Sequence, residues 1–349
     1  AVSIEYMSNI EIEEGLNLNV CMDARYVIPK KVKEFLPDIV ISFGGNIFAG
    51  IKEQFRKFAG EFEHWLVQED GRVVDLYKSI TTIFECKPEY FFKYCVNVAD
   101  ENQTTDCEYY QGLKRYVDSV IYPDFPYSHV YAIKEVVEKI PADSVLHLSI
   151  NDSIRITNFF KLNPRIKTYA NIGTHGIDGC LSSFLGQAAA GNKQSYLVIG
   201  DLAFFYDMNA MRLRHIKNNV HILLINNEGG SEFYFNHMWK DEASDLHTTA
   251  RHHTKAEGWV KSNNFIYLSA HDKESMREAL KEFMRSDLEK PVFLEVFTEM
   301  KTDSDVIYDF FDLSRPKDVQ SETIRRSKEF IKATIGQEKA QKIAGLFKK

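Results

Sequence analysis

Apolar and polar positions follow two rhythms along this chain. Short continuous apolar runs recur at residues 38–43 (DIVISF), 64–68 (HWLVQ), 145–150 (VLHLSI), 196–199 (YLVI), 222–225 (ILLI) and 292–297 (VFLEVF). Such runs, ended by glycine or polar clusters, predict strands buried on both faces. Residues 1–6 and 82–85 read as further short strands. Between the runs, apolar residues fall at helical spacing. In 129–139, Val130, Ile133, Val136 and Val137 share one face behind Ser128 as N-cap. Residues 51–58, 89–96 and 273–286 are also helical, and 180–190 is rich in small residues that allow close packing. The tail 315–349 is charged and helical. Strands alternating with helices predict an α/β fold of two doubly wound parallel-sheet domains. A polar stretch at 97–127, closing on Tyr122-Pro-Asp-Phe-Pro126, divides them, so the expected domains are 1–122 and 127–349.

The chemistry concentrates in 196–230. One apolar run ends in Gly200-Asp201, a helical segment follows, and the next run ends in Asn226-Asn227-Glu228-Gly229-Gly230. Ligands of open parallel sheets bind outside the carboxyl ends of the strands. A carboxylate at one strand end and an amide at the next can share a hard cation. Magnesium takes oxygen ligands, a few from protein and the rest from phosphates and water. The local pattern therefore points to magnesium with a phosphorylated ligand. Gly44-Gly45 lacks the Gly-x-Gly-x-x-Gly spacing of a dinucleotide site and reads as a tight turn.

Composition narrows the setting. The 349 residues suffice for two domains and are 44% hydrophobic. Net charge is −7 and no basic stripe suggests nucleic acid. No apolar run reaches the roughly 18 residues of a membrane span, and the start lacks a signal-peptide pattern. Five cysteines, none spaced Cys-x-x-Cys, fit a reducing, cytoplasmic setting. The chain starts without Met inside an expected strand, which suggests a fragment of a longer protein.

Residues 171–191 (NIGTHGIDGCLSSFLGQAAAG), 198–211 (VIGDLAFFYDMNAM) and 225–230 (INNEGG) together resemble the thiamine-diphosphate-dependent enzymes. Within that family they are most similar to the menaquinone-pathway synthases of 2-succinyl-5-enolpyruvyl-6-hydroxy-3-cyclohexene-1-carboxylate (SEPHCHC synthases). Residues 38–45 and 64–75 resemble the central domain of those enzymes, and 149–160 (SINDSIRITNFF) resembles their Gly-Asn-Ser stretch with its arginine. The resemblance implies that Asp201 and Asn227 give side-chain oxygens, and Gly229 its carbonyl, to Mg2+. Asp152, Ser153, Gly200, Leu202, Ala203, Gly229 and Gly230 would then hold the diphosphate of thiamine diphosphate. Ile177 would prop the cofactor in its bent shape.

The activity implied is decarboxylation of a 2-keto acid and carboligation, in a homodimer or homotetramer. The family's N-terminal pyrimidine-binding domain, with its activating glutamate, is not found in these residues. A fragment without it is expected to be inactive alone. Several positions depart from the family. Ile172 stands where the synthases have arginine, and Ser42 replaces another substrate-side residue. Arg155 is the candidate to stand in for an arginine on the substrate. His175 and Glu232 are candidate catalytic groups, with a surface loop histidine as the alternative for His175. Asp178 is expected to cap the helix after it. His252-His253, lacking metal-like partners, are expected at the surface, and 231–256 reads as a cover over the site. Two alternatives remain open: a relative acting on a different 2-keto acid in surface-carbohydrate or secondary metabolism, and a non-catalytic cofactor-binding module.

Overall fold

The computed structural model describes residues 1–12, 14–23, 26–45, 50–99, 108–173, 175–235 and 242–314. Compactness separates Ala1–Leu313 from Ser314–Lys349, and both sheets belong to the first unit. The expected helical tail at 315–349 lies outside the described residues.

The described strands form two sheets, both parallel throughout. The smaller contains β1 (Ile39–Phe43), β2 (Glu63–Val67) and β3 (Ile80–Phe84), in that order. The larger contains β4 (Val145–Leu148), β5 (Lys167–Ala170), β6 (Ser195–Gly200), β7 (Val220–Asn226), β8 (Ile266–Ala270) and β9 (Val292–Phe297). Its order is β5-β4-β6-β7-β9-β8. From β4 the chain steps outward to β5, then crosses back to place β6 on the other side of β4. The winding therefore reverses between β4 and β6, which is where open α/β sheets bind ligands.

Alternation within single strands explains why the apolar runs are continuous. Tyr196 and Val198 of β6 enter one apolar cluster with Ile133, Val136 and Phe310, whereas Leu197 and Ile199 enter another with Phe184, Phe204 and Val260. Helices thus cover both faces of the larger sheet. All of β7 is buried, as a central parallel strand requires.

Most expected elements are present. The helix His129–Val137 is capped by Ser128, whose Oγ accepts the Tyr131 N–H at 3.2 Å. The small-residue helix spans Cys180–Ala190. Four expectations need correction. Residues 1–6 are not a strand: Ser3 makes one isolated parallel bridge to Leu16, and Tyr6–Ser8 is a 3-10 turn. The polar stretch 97–127 contains a helix, Glu108–Asp118, that buries Leu113 and Tyr116. The two edge strands β5 and β8 are additions to the expected set. The N-cap of the helix Cys180–Ala190 is Gly179 at φ 73°, not Asp178, whose backbone carbonyl accepts from Asn171 Nδ2 at 3.1 Å. Only a residue tolerant of positive φ suits that cap. The two sheets lie before and after the Tyr122-Pro-Asp-Phe-Pro126 segment, but by compactness Ala1–Leu313 is one unit.

Candidate functional site

A cleft of about 630 Å³, counting its open mouth, lies at the carboxyl ends of the three neighbouring strands β4, β6 and β7. Each strand delivers a polar turn to it. After β4 come Asn151, Asp152 and Ser153, after β6 come Gly200 and Asp201, and after β7 come Asn227, Gly229 and Gly230. Parallel pairing sets these ends level, with Gly200 opposite Ile225.

Asp201 is the centre of the site and is only 2% exposed. Its Oδ2 accepts the N–H groups of Asn227 at 3.1 Å and Gly229 at 3.0 Å, so the turn after β7 folds around the carboxylate. Its Oδ1 accepts the neighbouring Leu202 N–H at 2.6 Å. That turn needs glycine: Gly229 has φ 153°, and a Cβ there would meet the Thr249 carbonyl oxygen at 2.7 Å. Gly200 differs. Its φ is −81°, and a Cβ would meet nothing within 4 Å, so the fold alone does not demand a glycine on the cleft floor.

His252 also belongs to the site. The sequence pattern puts it at the surface, but its Nε2 lies 3.3 Å from Asp201 Oδ2. Its Nδ1 accepts the Thr254 N–H at 3.0 Å, which places the ring proton on Nε2, facing Asp201. The Asp201 carboxylate raises the His252 pKa against an opposing effect of burial. His253 keeps to expectation, with a side chain 79% exposed beside Glu228.

Asn227 carries its orientation in its partners. Its Nδ2 donates to Asp303 Oδ2 at 3.0 Å, which leaves Oδ1 directed away from that carboxylate. Asp303, on the helix Met300–Ser314, is fully buried and also accepts from Thr298 Oγ1 at 2.7 Å and from the His129 N–H at 2.8 Å. The His129 ring sits between two carboxylates, with Nδ1 3.3 Å from Asp303 and Nε2 3.7 Å from Asp152. Burial alone would lower its pKa, but Asp303 and Asp152 overcome this and raise it to about 10. Asp152 is held below the usual carboxylate range: burial pushes it up, and His129, Arg155 and Ser231 outweigh that effect.

At the mouth, Arg155 donates to Asp152 at 2.8 Å and pairs through both terminal nitrogens with the two carboxylate oxygens of Glu232. Both ion-paired side chains are less than one-fifth exposed. Burial opposes the Arg155 charge, and Asp152 and Glu232 more than restore it.

The fit to magnesium and a diphosphate can be tested on these atoms. The donors on offer, the Asp201 carboxylate, the Asn227 amide oxygen and the Gly229 carbonyl, are hard and oxygen-only, although Asp201 Oδ1 and the Gly229 carbonyl also accept the Leu202 and Ser231 N–H groups. Among the described residues no group of three or more His, Cys, Asp or Glu is placed to hold a metal ion, so a cation here would depend on the amide and carbonyl oxygens as well. Ser153 and Ala203 sit in the first turns of the helices Asp152–Thr157 and Asp201–Asp207, whose N–H groups have no intrahelical acceptor. Asn151, just before the first of these, has the strained backbone φ 57°, ψ −120°. The residues present fit the group.

The cleft therefore gathers Asp152, Ser153, Ile177, Gly200, Asp201, Leu202, Ala203, Asn227, Gly229, Gly230 and Glu232 from the expected set. Three expected residues are not in its lining. Arg155 lies behind Glu232, Ile172 is half-buried and packs on both apolar clusters, and His175 is exposed at φ 55°. Of the expected cover, the structure describes the helices Ser231–Phe235 and Glu242–His247, while 236–241 lie outside the described residues.

Comparison with known proteins finds relatives over most of the chain. The SEPHCHC synthase of Phocaeicola vulgatus is 33% identical over 288 residues, 81% of this chain and 51% of the relative. That of Bacteroides fragilis is 35% identical over 286 residues, again 81% and 51%. That of Bacteroides thetaiotaomicron is 33% identical over 297 residues, 84% and 53%. Over this stretch the chain is a homologue of the SEPHCHC synthases. The relatives are enzymes, and the chain spans about half the length of the curated relatives it matches. No protein-family model matches the chain. Among the described residues no helix is long and apolar enough to cross a membrane.

Proposed function

We propose that this chain carries the magnesium- and diphosphate-binding portion of a thiamine-diphosphate-dependent 2-keto-acid decarboxylase and carboligase of the SEPHCHC synthase type. The observation that carries the reading is the pairing of Asp201 with the turn 227–229 across adjacent strand ends, which brings the carboxylate, the Asn227 amide and the Gly229 backbone together at one end of the cleft. Asp201, Asn227 and Gly229 would hold Mg2+. Ser153, Leu202, Ala203 and Gly230 would line the diphosphate, and Ile177 would support the ring system above it. When bound, thiamine diphosphate supplies a carbon that stores the electrons left as a 2-keto acid loses carbon dioxide. The chain's own residues bind, orient and exclude water. Glu232, paired with Arg155, is a carboxylate of the cleft lining, and a homodimer or homotetramer is the assembly the reading implies.

Calorimetry with Mg2+ and thiamine diphosphate tests the reading. Binding should require the metal and should vanish in Asp201→Ala, since a methyl cannot replace a charged oxygen ligand. Metal-dependent binding that survives in that variant would overturn the assignment.

One observation favours a second reading, a relative with a different 2-keto acid. By resemblance Ile172 stands where the synthases have arginine; it lies outside the cleft lining and packs against both apolar clusters, so this position brings no charge for a substrate carboxylate. Leaving a buried carboxylate unpaired costs several kcal/mol. On this reading Ile172→Arg improves use of 2-oxoglutarate over keto acids with uncharged tails. A panel scored by carbon dioxide release tests it, and an unchanged preference would count against Ile172 as the specificity switch.

A further inference from the structure

We propose that Asp303 is the positioning residue that fixes the Asn227 side-chain oxygen toward the cation, with buried His129 holding Asp303 in place. The inference rests on the function proposed above. The two ends of a primary amide have nearly the same shape, and only hydrogen-bond partners distinguish them. A carboxylate can only accept. Asp303 Oδ2, 3.0 Å from Asn227 Nδ2, therefore admits the NH2 end and repels the oxygen. A half-turn of the amide would bring two oxygens together in a site that is 0% exposed at Asp303 and 5% exposed at Asn227. It would also turn an NH2 group toward a cation.

Asp303 is itself immobilised from both sides. Thr298 Oγ1 donates to Oδ2 at 2.7 Å, and the His129 backbone N–H donates to Oδ1 at 2.8 Å. The His129 ring lies within ion-pair distance of both Asp303 and Asp152, yet neither ring nitrogen has a hydrogen bond of regular geometry. Its contribution is its place: a fully buried ring set between the Asp303 and Asp152 carboxylates, which closes the remaining side of Asp303. Both Asp303 oxygens are engaged by the protein, so Asp303 acts through Asn227. The three residues are far apart in sequence, with Asp303 76 positions from Asn227 and 174 from His129.

The test is Mn2+ binding, read by electron paramagnetic resonance with thiamine diphosphate present, on wild type, Asp303→Asn and the double variant Asn227→Asp/Asp303→Asn, with Tm measured alongside. An asparagine at 303 can donate or accept and no longer selects one amide orientation. Removing such an outer partner lowers metal affinity by about 10- to 100-fold. The double variant keeps the total charge and reverses the hydrogen bond, and its new carboxylate at 227 shows oxygen in either rotamer. It should return affinity to near the wild-type value. A merely structural role would lower Tm in Asp303→Asn, leave the affinity of the folded protein unchanged, and give no rescue. That result overturns the inference and leaves the function proposal standing. Failure of wild type to bind Mn2+ overturns both. If Asp303→Asn does not fold, Thr298→Val removes one of the hydrogen bonds that hold Asp303 and should weaken Mn2+ by about 2- to 10-fold. Unchanged affinity there also overturns the inference.

Discussion

Gly200→Ala separates the needs of the fold from the needs of a ligand. Gly200 has φ −81° and ψ 161°, values any L-residue adopts, and an added Cβ meets no atom within 4 Å. Replacing glycine at a compatible position stabilises by about 0.4–1 kcal/mol, because the unfolded chain loses freedom. Gly200 is also the N-cap of the helix Asp201–Asp207, where alanine is poorer than glycine by up to about 1 kcal/mol. The two effects nearly cancel. At about 2–4 °C per kcal/mol, Tm should move by only a few degrees. The ligand is affected differently, because the open space beside Gly200 is the cleft. Forcing a methyl into a close-packed contact costs about 1–3 kcal/mol. That corresponds to a loss of about 5- to 150-fold in affinity for Mg2+–thiamine diphosphate. Differential scanning fluorimetry and calorimetry on the same preparation give both numbers. Wild-type affinity with wild-type Tm would show that the ligand does not approach Gly200. A large fall in Tm would refute the account of the space around it.

Further outcomes follow from the same geometry. Asp201→Ala strips the acceptor from two buried N–H groups, those of Asn227 and Gly229. At about 1–3 kcal/mol for each orphaned group, urea unfolding should show a loss of about 2–6 kcal/mol, and a loss below about 1 kcal/mol would contradict the role given to the carboxylate. Gly229→Ala places a Cβ 2.7 Å from the Thr249 oxygen at φ 153°, so it should lower Tm clearly, where Gly200→Ala does not. The His129 pKa is raised from 6.5 to about 10. A folded-state value above the unfolded one means stability that is complete below about pH 6.5 and lost as pH rises through about 10. Urea midpoints measured across that window should fall, and His129→Gln should flatten the fall. A wild-type profile without any decline would remove the charge assigned to His129.

The elements legible from residues alone are those whose burial is nearly complete. Residues of β6, β7 and β9 are apolar on both faces because helices cover both faces, and that doubles the signal along the chain. Where burial is partial the signal thins. β8 is an edge strand with its first four residues half-buried or exposed, and the sequence IYLSA carries no alternation to mark it. The helix Glu108–Asp118 buries only Leu113 and Tyr116 and otherwise reads as a polar linker. In 1–6 the alternation of Val2, Ile4 and Tyr6 imitates a strand, yet only Ser3 finds a bridge partner, so there is no ladder to extend.

The same division runs through the site. Asp201 and Asn227 are readable because a parallel sheet places consecutive strand ends side by side, and a motif written at those ends becomes a site without further information. The groups that orient them have no such marker. In His252-His253 two identical side chains are adjacent, and only backbone direction decides that the first faces Asp201 while the second faces solvent. Asp303 lies past β9 on a helix whose sequence, MKTDSDVIYDFFDLS, offers four aspartates with nothing to single out one of them. His129 lies just inside a helix whose N-cap Ser128 is visible in the sequence, while its two carboxylate neighbours arrive from after β4 and after β9. The strand-end residues are marked locally in the sequence, and the partners that orient them are set by tertiary contacts. On the proposed function, a substitution at Asp303 or His252 disturbs cation binding through residues that the strand-end motif does not contain, and a comparison confined to that motif would count such a chain as intact.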